Sequence, residues 1–193
     1  MGFSFEAAER VRRHDPRRTL GRRPDKLLPF LGEDISAGGG LLLDTCCYID
    51  QMKAAAPEVV ERLLDIRIVN HSMVAVQELM VAVGALHPDD PRSQGVIASI
   101  ECIVRAMPSH RLFEPDSDVL GRAAVYAGII GRTQGYARDD RMKALHDCVL
   151  FLQAEKLGLT LLTANAAEFD VLLQMRPSGR VLLYRPVLAR RTA

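Results

Sequence analysis

Leu41-Leu42-Leu43-Asp44 decides how this chain reads. A strand with one wet face alternates apolar and polar residues, whereas three apolar residues in a row describe a strand buried on both faces. Such strands belong to parallel sheets covered by helices, and this one stops at a carboxylate. Reading outward, residues 48–53 and 57–64 have helical patterning. Residues 66–69 (IRIV) form a second apolar run, and 73–83 an apolar helix with Ser72 as its N-cap. A helix or helix pair over 88–107, a short strand over 111–113 and a helix over 116–131 come next. An apolar helix over 145–157 ends at Gly158, a strand covers 159–162, a helix 166–175, and a last strand 181–183. About four to five strands alternating with helices predict an α/β fold, a doubly wound parallel sheet with helices on both faces. Sheets of this kind bind ligands at the carboxyl ends of their strands.

The chain has 193 residues, enough for one domain and an extension, and 48% are apolar, enough for a sizeable core. Formal net charge is +1, so attraction to a polyanion requires local basic patches. Residues 1–26 are such a stretch, with seven Arg and one Lys against four acids; they read as a solvated arm or as an arm that follows phosphates. Gly38-Gly39-Gly40 reads as a flexible joint, dividing a basic extension over 1–40 from a domain over 41–193. Cys46, Cys47, Cys102 and Cys148 have neither disulfide nor zinc spacing, which with the lack of an apolar leader or membrane-length run predicts a cytoplasmic place.

Three carboxylates stand where a core would not choose them. Glu78 has Val74, Ala75, Val81 and Ala82 at helical spacing around it, and a lone carboxylate on such a face needs something to offset its charge: a bound cation, or an arginine or solvent at the core edge. Asp44 ends the first strand, where it binds a ligand or caps the next helix. Asp147 opens the 145–157 helix, where it complements the macrodipole or, that helix being buried, faces the strand ends. Carboxylates converging at strand ends make an oxygen cage of the kind that suits Mg²⁺ or Mn²⁺. P-loop, dinucleotide-binding and nucleophile-elbow motifs are missing from the sequence.

Four segments together resemble the PIN-domain nucleases, in particular the VapC-like toxins of toxin–antitoxin pairs. They are Leu42-Leu43-Asp44-Thr45 with Tyr48-Ile49-Asp50, Val76-Gln77-Glu78-Leu79 ending at Gly84, Asp147 with Gly158-Leu159-Thr160, and Leu161-Leu162-Thr163-Ala164-Asn165 with Phe169. The resemblance spans about residues 41–185. It implies a PIN-like fold, a Mg²⁺ or Mn²⁺ held by Asp44, Glu78 and Asp147, endonucleolytic cleavage of RNA, a homodimer, and a small antitoxin protein that blocks the site. Two departures stand out. Asn165 occupies the place of a fourth acid, and Asn165 with Glu168 also fits a capping box, which favours a structural Glu168. The extension over 1–37 precedes the point where such domains usually begin.

The expected chemistry is hydrolysis of a phosphodiester. Thr45, Thr163 or Asn165 would orient water or phosphate, and Glu168 is a further acid nearby. Arg138, Arg141 and Lys143 are rim cations, while His146 and His71 read as surface residues at element ends and His14, His87 and His110 lie in segments that suggest no site. The competing expectations are a PIN-like scaffold that binds RNA or a partner without cutting, and an RNA-processing nuclease with no toxin role.

Overall fold

The computed structural model describes residues 3–10, 17–32, 38–136 and 140–187. Five strands form one parallel sheet: β1 (Leu41–Leu43), β2 (Val69–Ser72), β3 (Leu112–Phe113), β4 (Thr160–Thr163) and β5 (Val181–Leu183), in the order β3-β2-β1-β4-β5. The helices are α1 (Phe5–Glu9), α2 (Thr45–Met52), α3 (Glu58–Ile66), α4 (Met73–Ala85), α5 (Ser93–Ala106), α6 (Ser117–Thr133), α7 (Asp140–Lys156) and α8 (Ala166–Met175). The chain works outward from β1 through β2 and β3, then returns to lay β4 on the other side of β1. The strand order therefore reverses between β1 and β4, the place where sheets of this kind bind ligands beyond the strands' carboxyl ends.

The side-chain alternation of β1 explains both layers. Leu42 faces a core built from Leu161, Val149, Phe151, Phe169, Leu172 and Ile130, under α6, α7 and α8. Leu41 and Leu43 face the other core, with Leu162, Tyr48, Val60, Leu63, Leu79 and Ile100, under α2 to α5. All three leucines are at most 2% exposed, each worth roughly 1.5–3 kcal/mol of burial.

Among the element boundaries that differ from the sequence reading, two bear on the site. Only the last residue of the IRIV run, Val69, is in a strand: α3 continues to Ile66, and Ile66 and Ile68 are 52% and 59% exposed. The paired segment is the polar-looking Val69-Asn70-His71-Ser72, whose buried members have partners elsewhere. Asn70 Nδ2 donates to the Leu41 carbonyl at 3.0 Å, and Ser72 Oγ donates to Gln153 Oε1 at 2.6 Å. Ser72 also caps α4 as expected, accepting the Val74 N–H at 3.1 Å. The second difference is α7, which starts at Asp140 rather than Leu145.

The extension docks on the domain along its described residues. Gly121 of α6 meets Phe3 beside α1, where an added Cβ would sit 2.0 Å from the ring. Residues 29–31 run beside β5: the Leu31 N–H donates to the Leu183 carbonyl at 2.7 Å and the Leu183 N–H to the Pro29 carbonyl at 2.9 Å, and Phe30 bridges Leu183. Arg23 donates its backbone N–H and its Nε to Asp170 at 2.7 and 2.5 Å, and Asp170 is 0% exposed. Thr19 Oγ1 donates to the Thr133 carbonyl at 2.8 Å. The Gly38–Gly40 triplet is likewise not a slack joint. Arg67 Nε donates to the Gly39 carbonyl at 2.7 Å, and a Cβ on Gly40 would lie 2.8 Å from Asn70 and 2.9 Å from Leu159, so the glycines permit close packing. Among the described residues no helix is long and apolar enough to cross a membrane.

Candidate active site

The crevice at the β1–β4 reversal gathers the acids. Asp44 follows β1 in the N-cap position of α2, yet its side chain caps nothing. Its carboxylate turns to β4 instead, accepting Thr163 Oγ1 at 2.5 Å and the Cys46 thiol at 3.1 Å. The Thr163 hydroxyl is itself held by the Asn165 N–H at 2.9 Å. Asp147 projects from the second turn of α7 and accepts Asn165 Nδ2 at 3.4 Å. Both aspartates are 5% exposed, and the contacts to them come from a hydroxyl, a thiol and an amide, none cationic.

Glu78 comes in from α4. Thr45 donates its hydroxyl to one carboxylate oxygen, and His146 Nδ1 lies 2.8 Å from the other. The three acids are close enough to act on one another. Burial pushes Asp44 above the usual carboxylate range and the Glu78 charge adds to this, against the hydrogen bonds from Thr163 and Cys46. Asp147 is pushed well above that range, by burial first and then by the charges of Asp44, Glu168 and Glu78, with Lys143 pulling the other way. At Glu78 burial also acts upward, but the hydrogen bonds of His146 and Thr45 and the charges of His146 and Lys143 outweigh it and hold the group below its ordinary value.

Two buried carboxylates with no cationic hydrogen-bond partner among the described residues fit a site for a hard divalent ion, because a buried charge is otherwise paired or neutralised. Among the described residues no group of three His, Cys, Asp or Glu side chains is drawn together closely enough to grip one ion. The two Glu78 oxygens are turned onto Thr45 and His146.

The residues singled out in the sequence that fall among the described ones have definite places. Thr45 and Thr163 orient acids rather than cap helices. The capping box at Asn165 and Glu168 does not form: the Asn165 side chain makes no cap and reaches toward Asp147, whose carboxyl also feels the Glu168 charge. Asp147 is not in a first turn, because α7 begins earlier than the apolar pattern does. His146 is not a surface residue; its side chain is 13% exposed and faces Glu78. Only the solitary position of Glu78 on its own helix hinted that some polar partner must face it. Cys46, the thiol beside Asp44, carried no sequence signal at all. His71 lies apart, its Nδ1 2.8 Å from the Tyr48 hydroxyl, while His87 sits on the exposed α4–α5 connection and His110 in the short turn before β3. Arg141 and Lys143 are exposed on α7, and Arg138 and His14 fall outside the described residues.

No family model matches this sequence, and no curated protein sequence does. Solved structures do. FitAcB from Neisseria gonorrhoeae matches with a TM-score of 0.52 at 20% identity, over 74% of this chain and 96% of that one. VapBC2 from Rickettsia felis, bound to a DNA fragment from their promoter, matches at 0.47 and 14% identity over 75% and 97% of the two chains. DNA-bound VapBC from Salmonella typhimurium matches at 0.44 and 22% identity over 76% and 98%. The likeness to FitAcB bears on architecture: the chain has a PIN-like α/β fold, a five-stranded parallel sheet between helices.

Proposed function

We propose that this chain is a Mg²⁺- or Mn²⁺-dependent endoribonuclease of the PIN type, the toxin of a toxin–antitoxin pair. The chemistry rests on one observation: Asp44, Glu78 and Asp147, far apart in sequence, come near enough at the strand-order reversal for the Glu78 charge to add to burial in raising Asp44, and for the Asp44 and Glu78 charges to add to burial in raising Asp147. The toxin role rests on the resemblance of the Asp-Thr, Glu-Leu and Thr-x-Asn segments.

A divalent ion bound there would polarise a phosphate oxygen and lower the pKa of a water. The chain's own residues do the rest. Asp44 and Asp147 present carboxylate oxygens from two directions, fixed by Thr163 and by Asn165. Glu78, whose oxygens are held by Thr45 and His146, would add a third on turning to the ion. The Glu168 charge acts on Asp147 in the same sense as the other acids and Lys143 in the opposite sense, and Lys143, exposed on α7, would offer a phosphate a cation. His146 is thus a positioning residue. His146→Ala is expected to weaken Mn²⁺ binding roughly tenfold to a hundredfold, as loss of an outer-sphere partner typically does, measured by calorimetry on the metal-free chain. An unchanged Mn²⁺ affinity would remove His146 from this role.

Homodimerisation is part of the proposal. Met80 and Val81 on α4 are 50% and 64% exposed, an apolar surface that a second copy would cover. A small antitoxin is expected to close the acidic crevice. The deciding experiment incubates the purified chain with structured and single-stranded RNA in Mn²⁺ or Mg²⁺, in EDTA, and as Asp44→Asn. Cutting confined to the intact chain with metal supports the nuclease; cutting that persists in EDTA or in Asp44→Asn refutes this site. A second reading, an RNA-binding scaffold that does not cut, draws on Asn165 standing where a fourth acid is usual and on both Glu78 oxygens being engaged within the chain. It predicts binding without products under all three conditions.

A further inference from the structure

The two buried aspartates keep their side-chain partners on one oxygen each. Asp44 Oδ2 accepts Thr163 Oγ1 at 2.5 Å and the Cys46 thiol at 3.1 Å, and Asp147 Oδ2 accepts Asn165 Nδ2 at 3.4 Å. Among the described residues no side chain donates to Oδ1 of either aspartate. Each therefore has one oxygen committed within the chain and one left over.

Asn165 governs the committed side. It stands in the N-cap position of α8, where an asparagine ordinarily turns its side-chain oxygen onto the first N–H groups of the helix. This one makes no cap. Its φ of −82° and ψ of 72° are those of an inverse γ-turn, closed by the Ala166 N–H donating to the Ala164 carbonyl at 3.0 Å. Its backbone N–H donates to Thr163 Oγ1 at 2.9 Å, and that hydroxyl donates to Asp44. Its side-chain amide goes to Asp147. One residue thus reaches both aspartates, the first through Thr163 and the second directly. Only the NH₂ end of the amide suits a carboxylate, since the amide oxygen would repel it.

The oxygen inventory decides how many ions the acids can share. Paired metal ions lie roughly 3.5–4 Å apart, and a carboxylate placed between them gives one oxygen to each. A carboxylate that serves one ion keeps its other oxygen for a hydrogen-bond donor that fixes its direction. Asp44 and Asp147 are arranged in the second way. The donor hydrogens at Oδ2 bring partial positive charge to the place where a second cation would sit. Glu168, one turn along α8, adds its negative charge at Asp147, but the oxygen that Asp147 turns toward α8 is the one Asn165 holds.

We infer that the site takes a single divalent ion, through the oxygens that Asp44 and Asp147 leave uncommitted, and that Asn165 is the positioning residue that excludes a second. This rests on the metal reading of the three acids and goes beyond it in fixing the count.

The test counts ions rather than turnover. Calorimetric titration of Mn²⁺ into the metal-free full chain at pH 8, checked by the spin-resonance signal of the Mn²⁺ left free, is expected to give one ion per wild-type chain. Asn165→Asp replaces the donor with an acid that is an equally good N-cap residue, so the helix start is preserved. It is expected to take two ions, the second more weakly, and to melt below the wild type in EDTA because it adds a charge among the acids. Asn165→Ala removes the donor and adds no acid. It is expected to keep one ion and to bind it roughly tenfold to a hundredfold more weakly. Two ions on the wild type overturn the inference and leave the metal reading standing. One ion on a folded Asn165→Asp overturns it as well. So does an Asn165→Ala that melts lower yet binds Mn²⁺ as the wild type does, which would make Asn165 merely structural. Should Asn165→Asp not fold, the wild-type count and the Asn165→Ala affinity decide. A wild type that binds no Mn²⁺ sinks the metal reading and the inference together. If the counts are one and two but neither chain cuts RNA, the single-ion site stands and the nuclease reading falls.

Discussion

Asp147→Asn is expected to move stability and activity in opposite directions. In metal-free buffer near neutral pH it melts a few degrees above the wild type; with Mn²⁺ and RNA it cuts at least about a thousandfold more slowly. The stability gain follows from where the charge sits. Asp147 is 5% exposed, and burial together with the charges of Asp44, Glu168 and Glu78 pushes its pKa well above the usual value. A carboxyl whose folded pKa exceeds its unfolded one favours folding while protonated, and that contribution is lost as pH rises through the folded pKa. The metal-free wild type therefore loses stability as pH climbs from about 4, the unfolded Asp value, toward the raised one. Asparagine removes this slope for one group. Relieving such active-site repulsion is typically worth about 0.5–2 kcal/mol, and each kcal/mol shifts Tm by about 2–4 °C in a chain of this size. Excess Mn²⁺ should raise the Tm of the wild type more than that of the variant, since the ion binds the folded state alone. Thermal melts in EDTA at pH 5 and pH 8 read the effect directly. A variant that melts below the wild type at pH 8 would show that like-charge repulsion does not govern the crevice.

Arg23→Ala is the second large effect, and it lies far from the acids. Asp170 is fully enclosed, and Arg23 supplies it with a guanidinium and a backbone N–H, with Gln174 Nε2 adding a third donor at 3.2 Å. Removing one partner of a buried ion pair costs about 3–5 kcal/mol, because the other charge is left uncompensated. Alanine keeps the backbone donor, so the expected loss is about 3 kcal/mol, the lower end of that range. Deleting residues 1–32 removes both donors, along with the pairing to β5, and costs more. Asp170→Asn combined with Arg23→Ala should recover part of the loss, since no charge is then stranded. Urea titrations of the single and double variants would separate these cases. Equal midpoints for Arg23→Ala and the wild type would make the extension a mere ornament.

The central strands were legible because a parallel sheet writes itself as apolar runs, and Leu41-Leu42-Leu43 and Leu161-Leu162 are such runs. The second strand was misplaced for the converse reason. Asn70 and Ser72 are buried polar residues made tolerable by Leu41 and Gln153, partners 29 and 81 positions away, which periodicity does not register. The three acids could be chosen because each sat oddly in its own element. Their fine arrangement could not, since it depends on contacts between elements. Residues 140–144 are too polar to continue the apolar pattern of 145–157, so the pattern starts α7 late and puts His146 at an exposed helix start. The docked extension was illegible for a similar reason: its arginines resemble a solvated arm until Asp170, remote in sequence, gives one of them a buried partner.

Both margins of the sheet are shut to strangers. β3 has two residues, too short to template another strand, and the outer side of β5 is taken by the Phe30 bridge. Peptides that zip onto a sheet need a row of open main-chain donors and acceptors, and so does the edge-to-edge stacking that leads to aggregates. A polypeptide inhibitor of this chain accordingly has to grip helical faces with anchoring side chains, and its specificity would be written in those anchors.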